Sequence, residues 1–186
     1  MDDSRIVELF LARSEQAIAE LSNKYGSVCS RIALNILNDQ LDSEECVNDA
    51  YLSVWNSIPP KHPDSLAGYV CSIVRNLALK RYHQNTAKKR NSIYDVALEE
   101  IAEYLPSKSY VEDEIQANEL EECINSFLAT LDRQDRIIFV RRYWYADSLD
   151  GLAGLFHTSK HYISVRLSRI RKALRKHLIR EGYLYE

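Results

Sequence analysis

Apolar residues recur every three or four positions through most of this chain, and that period predicts helices rather than strands. The pattern is clearest near the end, where five apolar residues share one helix face: Ile163, Leu167, Ile170, Leu174 and Leu178. Alternating apolar runs joined by a hairpin turn, which would indicate strands, are absent from the sequence. We therefore predict an all-α protein.

The same period predicts the helices of the first half of the chain. They cover one or two segments within 4–37, then 42–58, then 65–90. Asp42 followed by Glu45 has the spacing of a capping box, which would begin the helix over 42–58.

The second half contains a break in the pattern. Residues 93–111 are acidic and weakly periodic, and they are predicted to form a linker with room for one helical turn. Helical spacing resumes at about 112, and Asp132 is predicted to cap a later helix. The sequence thus predicts two helical domains, over 1–92 and 112–186, joined by an acidic linker.

Charge alternates in sign along the chain, although the net charge is only −3. Residues 1–60 sum to −6, 61–92 to +6, 93–135 to −10 and 136–186 to +7. Two basic blocks separated by an acidic one are typical of a protein that contacts nucleic acid at two places and a basic surface elsewhere.

The last helix has one apolar and one cationic side. Between 151 and 180 there are eight Lys or Arg and no Asp or Glu. The side opposite the apolar stripe carries Lys160, Arg166, Arg169, Arg171, Lys172, Arg175 and Lys176. A short helix over 148–156 precedes it, with His157 in the turn, and this order is typical of a helix-turn-helix. A membrane-surface helix or a calmodulin target has a similar charge pattern, but the short, β-branched apolar side favours DNA.

The helix over 42–58 carries an acidic ridge. Glu45, Asn48 and Asp49 lie at spacings of three and four, so they share one face. Carboxylates near a helix N-terminus are stabilised by the helix dipole, but Asp49 lies about two turns inside. A ridge of this kind, opposite an apolar stripe, suits docking to a basic partner.

The helix over 65–90 ends in the basic tract KRYHQNTAKKR. Cations interleaved with the rings of Tyr82 and His83 are typical of contact with single-stranded nucleic acid. Cations that complement the helix dipole account for only part of this tract. Arg75 and Asn76 lie one to two turns earlier on the same helix.

Other classes of function find little support in the sequence. No phosphate-binding loop, metalloprotease or nucleophile-elbow motif is present, so we expect no enzyme, no catalytic residue and no cofactor. The cysteines Cys29, Cys46, Cys71 and Cys123 lack metal-ligand spacing, and we interpret them as reduced, mostly buried thiols of a cytoplasmic protein. No apolar run is long enough to cross a bilayer, and the acidic start MDDSRIVELF is not typical of a signal peptide.

Two segments resemble a known family. The run DSEECVNDAYLSVWNSIP, continued by LAGYVCSIVRNLALKRYHQ, resembles region 2 of bacterial RNA polymerase sigma factors. The run LATLDRQDRIIFVRRYWYADSLDGLAGLFHTSKHYISVRLSRIRKALRKHL resembles region 4 of the same family. Regions 2 and 4 without region 3 resemble the small extracytoplasmic-function branch of the sigma-70 family.

The resemblance implies a promoter-specificity subunit whose partners are core RNA polymerase and promoter DNA, double- and single-stranded. An anti-sigma protein is a further partner that it allows. It assigns core-polymerase docking to Glu45, Asn48 and Asp49. It assigns the −10 element to Arg75, Asn76, Lys80, Arg81 and Tyr82. It assigns the −35 element to Lys160, Ser164, Val165, Ser168, Arg169 and Lys172.

Four positions depart from the family pattern. Asn48 replaces a Gln, Lys80 an Asp and Gly151 a Glu. His157 stands where the turn often has Gly, so we expect a left-handed backbone there.

The alternatives to a sigma factor are a helix-turn-helix regulator with a sensor or dimerisation domain, and a helical adaptor that does not bind DNA.

Overall fold

The computed structural model of the chain describes residues 1–85, 92–106 and 114–184. Every regular element in these ranges is a helix, which confirms the all-α prediction. The helices are α1 (Asp3–Leu11), α2 (Gln16–Leu37), α3 (Gln40–Ser57), α4 (Leu66–Asn85), α5 (Ile93–Ala102), α6 (Glu114–Thr130), α7 (Arg133–Tyr143), α8 (Leu149–Leu155) and α9 (Lys160–Arg180). The chain divides into two compact units, Met1–Ser92 and Ile93–Glu186.

The first unit is built on three mutually packed helices, α2, α3 and α4, with α1 against α2. Each helix contributes an apolar stripe at helical spacing, and burial of these stripes drives the packing. Fully buried members include Phe10 on α1, Ile32 on α2, Val54 on α3 and Val74 on α4. The opposite faces of α3 and α4 are therefore fixed toward solvent.

The corner between α2 and α3 differs from the sequence prediction. Asn38 adopts a left-handed backbone, with φ of 51°, and ends α2. The next residue, Asp39, caps α3 by accepting a hydrogen bond of 3.0 Å from the backbone N–H of Asp42. The capping box predicted at Asp42 and Glu45 was wrong, because Asp39 supplies the cap three residues earlier. Glu45 is thereby left available for other contacts.

The second unit places α9 against α6, α7 and α8. The apolar stripe of α9 packs into two clusters of buried side chains. The first half of the stripe, with Ile163 and Leu167, packs with Ile138 of α7 and Leu152 of α8. The second half, with Ile170, Leu174 and Leu178, packs with Phe127 of α6 and Phe139 of α7. Both ends of α9 are thus anchored to the rest of the unit.

Helix α5 lies inside the segment that we predicted to be a linker. It runs over Ile93–Ala102, and Ala97 and Ile101 on its inner face are buried. It packs against α7, and Ile101 belongs to the same apolar cluster as Phe127 and Leu174. The predicted single turn is therefore a longer helix of the second unit, because its spaced apolar residues find a partner surface there.

Candidate functional site

The acidic ridge lies on the solvent face of α3. Glu45, Asn48 and Asp49 are all exposed, because Cys46, Val47, Ala50 and Val54 on the other side are buried. The structure thus brings the three predicted docking residues together on one surface.

Two apolar residues that sequence reasoning missed flank this ridge. The side chains of Leu41 and Leu52 are 77% and 56% exposed. They lie four residues before Glu45 and three residues after Asp49, so they extend the same face of α3. Exposed large apolar side chains beside charged ones are typical of a protein interface. The sequence could have revealed them, because Leu41 and Leu52 are apolar but do not share the helical spacing of the buried residues of α3.

Arg81 of α4 reaches across to the same ridge. Its Nη1 donates to Glu45 Oε2 at 2.8 Å and to the backbone oxygen of Asp42 at 3.1 Å. Its Nη2 donates to Asp49 Oδ2 at 3.4 Å. The bond to Glu45 raises the pKa of Arg81 above its usual value, against an opposite effect of desolvation. Arg81 was assigned to the −10 element, but the structure places it in contact with Glu45 and Asp49, which were assigned to polymerase docking.

The other residues assigned to the −10 element lie along α4. Asn76 and Lys80 are exposed and one helical turn apart, so they share a face. Arg75 and Tyr82 are half-buried, and the Tyr82 ring lies 5.6 Å from the ring of His83, edge to face. The tract's later cations, Lys88, Lys89 and Arg90, lie outside the described residues.

In the second unit, side-chain caps fix where three successive helices begin. Asp132 accepts from Asp135 N at 2.8 Å, Ser148 from Gly151 N at 2.9 Å and Ser159 from Tyr162 N at 3.1 Å. The predicted cap at Asp132 is confirmed. His157, between α8 and α9, has φ of 50°, so its predicted left-handed backbone is also confirmed.

The outward face of α9 carries the residues assigned to the −35 element. Ser164, Arg169 and Lys172 are exposed, and Val165 and Ser168 are half-buried beside them. They lie opposite the buried stripe, as the helical period predicts. Lys160 is exposed at the first turn of α9, and its Nζ forms an ion pair with Asp150 Oδ2 at 2.8 Å.

Arg166 and Arg171, which belong to the predicted basic face, form ion pairs inside the second unit. Arg166 donates to Asp135 at 2.5 Å, to Gln134 at 2.7 Å and to Asp132 at 3.2 Å, so it ties α9 to the start of α7. The bond to Asp135 raises the pKa of Arg166. Arg171 donates to Tyr143 Oη at 2.7 Å and stands 3.5 Å from Glu100. Placing Arg166 and Arg171 on the solvent face was wrong, because long side chains of α9 reach carboxylates on its neighbours.

The described residues hold no group of three or more His, Cys, Asp or Glu that could bind a metal ion. All four cysteines are buried and reduced, which confirms their interpretation as buried thiols. Over the same described ranges, no helix is both long enough and apolar enough to cross a membrane.

Comparisons with known proteins agree with the geometry of the first unit. Residues 21–88, which contain α3, α4 and most of α2, match the family model of sigma-70 region 2. Over 171 residues, the chain is 28% identical to a protein of Xanthomonas campestris pv. campestris described as "Probable RNA polymerase sigma factor RfaY". The alignment covers 90% of this chain but 42% of that protein, so the chain spans less than half of its relative.

Among solved structures, the chain is similar to CnrH, determined in complex with the cytosolic domain of CnrY. That similarity has a TM-score of 0.45 and 18% identity, and it covers 97% of this chain and 98% of the other. The assignment to the sigma family rests on the family match and on the sequence relative, and not on this structural similarity. Residues 21–88 are a sigma-70 region 2 domain, and the chain is related by sequence to RNA polymerase sigma factors.

Proposed function

We propose that this chain is a sigma subunit of the extracytoplasmic-function branch, which binds core RNA polymerase in the cytoplasm and directs it to promoters. The observation that carries the proposal is the exposed ridge of Glu45, Asn48 and Asp49 inside a sigma-70 region 2 domain. Leu41 and Leu52 give this ridge apolar flanks, so it has the mixed character of a protein interface.

The nucleic-acid contacts belong to two other surfaces. On α4, Asn76 and Lys80 present an amide and a cation side by side, which suits the separated strand of a −10 element. On α9, the outward face around Arg169 has the width of one helix and suits the major groove of a −35 element. The helices α8 and α9 would then act as a helix-turn-helix, with α9 as the recognition helix.

The test is transcription with purified core polymerase and the full-length chain, with start sites mapped on genomic DNA. We expect core-dependent, promoter-specific initiation. A helix-turn-helix regulator would instead bind its DNA site without core polymerase and would not support initiation. That result would contradict the proposal.

The docking surface is tested by reversing its charge. Glu45→Lys with Asp49→Lys should abolish most core binding, because a ridge that attracts a basic surface becomes one that repels it. Glu15→Lys with Asp64→Lys is the matched control, since both residues are exposed, lie off the ridge and change the net charge equally. Undiminished binding by the ridge variant in a pull-down would place docking elsewhere.

A further inference from the structure

Arg81 of α4 contacts two successive turns of another helix, α3. Its guanidinium bonds to Glu45, Asp49 and the backbone oxygen of Asp42. The side chain of Arg81 is only 21% exposed, whereas those of Glu45 and Asp49 are 67% and 53% exposed. The cation therefore lies beneath the two carboxylates rather than in front of them.

This position has a physical effect on the ridge. Glu45 and Asp49 are four residues apart on one helix, and like charges at that spacing repel. Arg81 offsets the repulsion, and its planar fork bonds to both carboxylates. The third bond, to the helix backbone, fixes the plane of the fork. Two flexible acidic side chains are thus held in a narrow set of conformations before any partner arrives, which lowers the entropy cost of binding.

The same contacts argue against a role for Arg81 on DNA. A phosphate that approached this guanidinium would also approach two carboxylates, whose charge outweighs that of the single cation. Lys80 is the residue before Arg81 on α4, so it points about 100° away around the helix, and it is exposed. The two neighbouring cations therefore serve different surfaces.

We propose that Arg81 is a positioning residue of the docking surface, which holds Glu45 and Asp49 in the geometry that core polymerase binds. This inference rests on the proposed function and refines it. It moves Arg81 from the −10 group to the docking group.

The experiment measures the affinity of the full-length chain for core polymerase in the absence of DNA. Arg81→Met removes the charge and keeps most of the length, and Arg81→Lys keeps the charge but cannot bond to both acids in the plane of a fork. We expect core affinity to fall roughly tenfold in Arg81→Met and by less in Arg81→Lys, the size of coupling seen between contacting residues. Arg5→Met is the control, because Arg5 forms an exposed ion pair with Glu8 in the same unit.

Two further measurements separate positioning from a general structural effect. In a background with Glu45→Gln and Asp49→Asn, Arg81→Met should have no additional effect on the affinity for core polymerase. Circular dichroism measures the folded fraction of each variant, and affinities are compared at equal concentrations of folded protein. At saturating core polymerase on a pre-melted promoter, Arg81→Met should bind as wild type does, whereas Lys80→Met should be weaker.

The outcomes are distinguishable. If Arg81→Met and Arg81→Lys bind core polymerase as tightly as wild type, or more tightly, the positioning role is wrong while the sigma assignment stands. If Arg81→Met is defective only when DNA is present, Arg81 is a DNA contact and the inference is likewise overturned. A wild-type chain that does not bind core polymerase would overturn the proposed function, and this inference with it.

Discussion

Glu100 forms a two-point ion pair with Arg142, whose side chain is buried in the second unit. Arg142 Nη2 donates to Glu100 Oε1 at 2.8 Å, and Nε donates to Oε2 at 3.1 Å. The remaining Nη1 donates to the backbone oxygen of Asp147 at 2.9 Å. Because Glu100 belongs to α5 and Arg142 to α7, this pair holds the unexpected helix α5 in place.

The first prediction concerns this pair. Glu100→Ala should lower the free energy of unfolding of the second unit by roughly 3 kcal/mol, because a buried guanidinium loses its carboxylate. Urea unfolding followed by circular dichroism measures the loss. Glu99→Ala is the control, since Glu99 is the exposed neighbour on the same helix. Equal stability of the two variants would show that α5 is not held by Glu100.

The second prediction concerns strand separation at the −10 element. Lys80 is exposed on the face it shares with Asn76, so Lys80→Ala should reduce open-complex formation more than closed-complex binding. Permanganate footprinting on duplex and pre-melted promoters measures the difference. Equal loss on both templates would indicate a plain phosphate contact instead of a role in melting.

The third prediction concerns reading of the −35 element. Arg169 lies on the outward face of α9, and Arg is the usual two-point partner of guanine, worth about 1–3 kcal/mol of discrimination. Arg169→Ala should therefore relax the preference at one or two −35 positions. Lys172→Ala, three residues later, should weaken all sequences about equally, as loss of a phosphate contact does. Selection from a randomised −35 library decides between them, and an unchanged consensus with Arg169→Ala would mean that Arg169 does not read bases.

The fourth prediction concerns pH. Burial raises the pKa of the Cys46 thiol to about 11, from an ordinary value of 9.0, while the charge of Arg81 acts in the opposite sense. Well below pH 9.0 the thiol is protonated in both the folded and the unfolded state, and stability does not depend on its ionisation. As pH rises from 9.0 toward 11, the unfolded thiol ionises first, so the free energy of unfolding falls, by about 1.4 kcal/mol for each unit of pKa difference.

Comparison of wild type with Cys46→Ala isolates this effect. The variant should lose less stability between pH 9 and pH 11 than wild type does, in urea unfolding at each pH. Parallel curves would mean that Cys46 does not titrate differently in the two states.

Sequence reasoning succeeded where local chemistry decides the structure. The apolar stripe of α9 and the cap at Asp132 depend on spacing within a few residues, which the chain itself displays. The left-handed backbone at His157 was expected on other grounds, from the family resemblance, in which the turn often has Gly.

It failed where a side chain meets a residue far along the chain. Arg81 pairs with Glu45, 36 positions away, and Arg142 pairs with Glu100, 42 positions away. No periodicity reveals such pairs, so neither contact was predicted and α5 was taken for a linker. The prediction of the cap of α3 failed for another reason. Asp39 and Asp42 are both suitable cap residues, and the backbone between α2 and α3 determines that Asp39 is the cap.

The ion pairs of α9 also set how its contact with DNA should respond to ionic strength. A cation releases counterions from DNA only when it takes the place of those ions beside a phosphate. Each phosphate contacted in this way adds about −0.9 to the slope of the logarithm of affinity against the logarithm of salt concentration. Arg166 and Arg171 are held by carboxylates of α5 and α7 and of the turn before α7, so they release none. The proposed contact of α9 with DNA should therefore weaken more gradually, as salt concentration rises, than the eight Lys and Arg residues between 151 and 180 suggest.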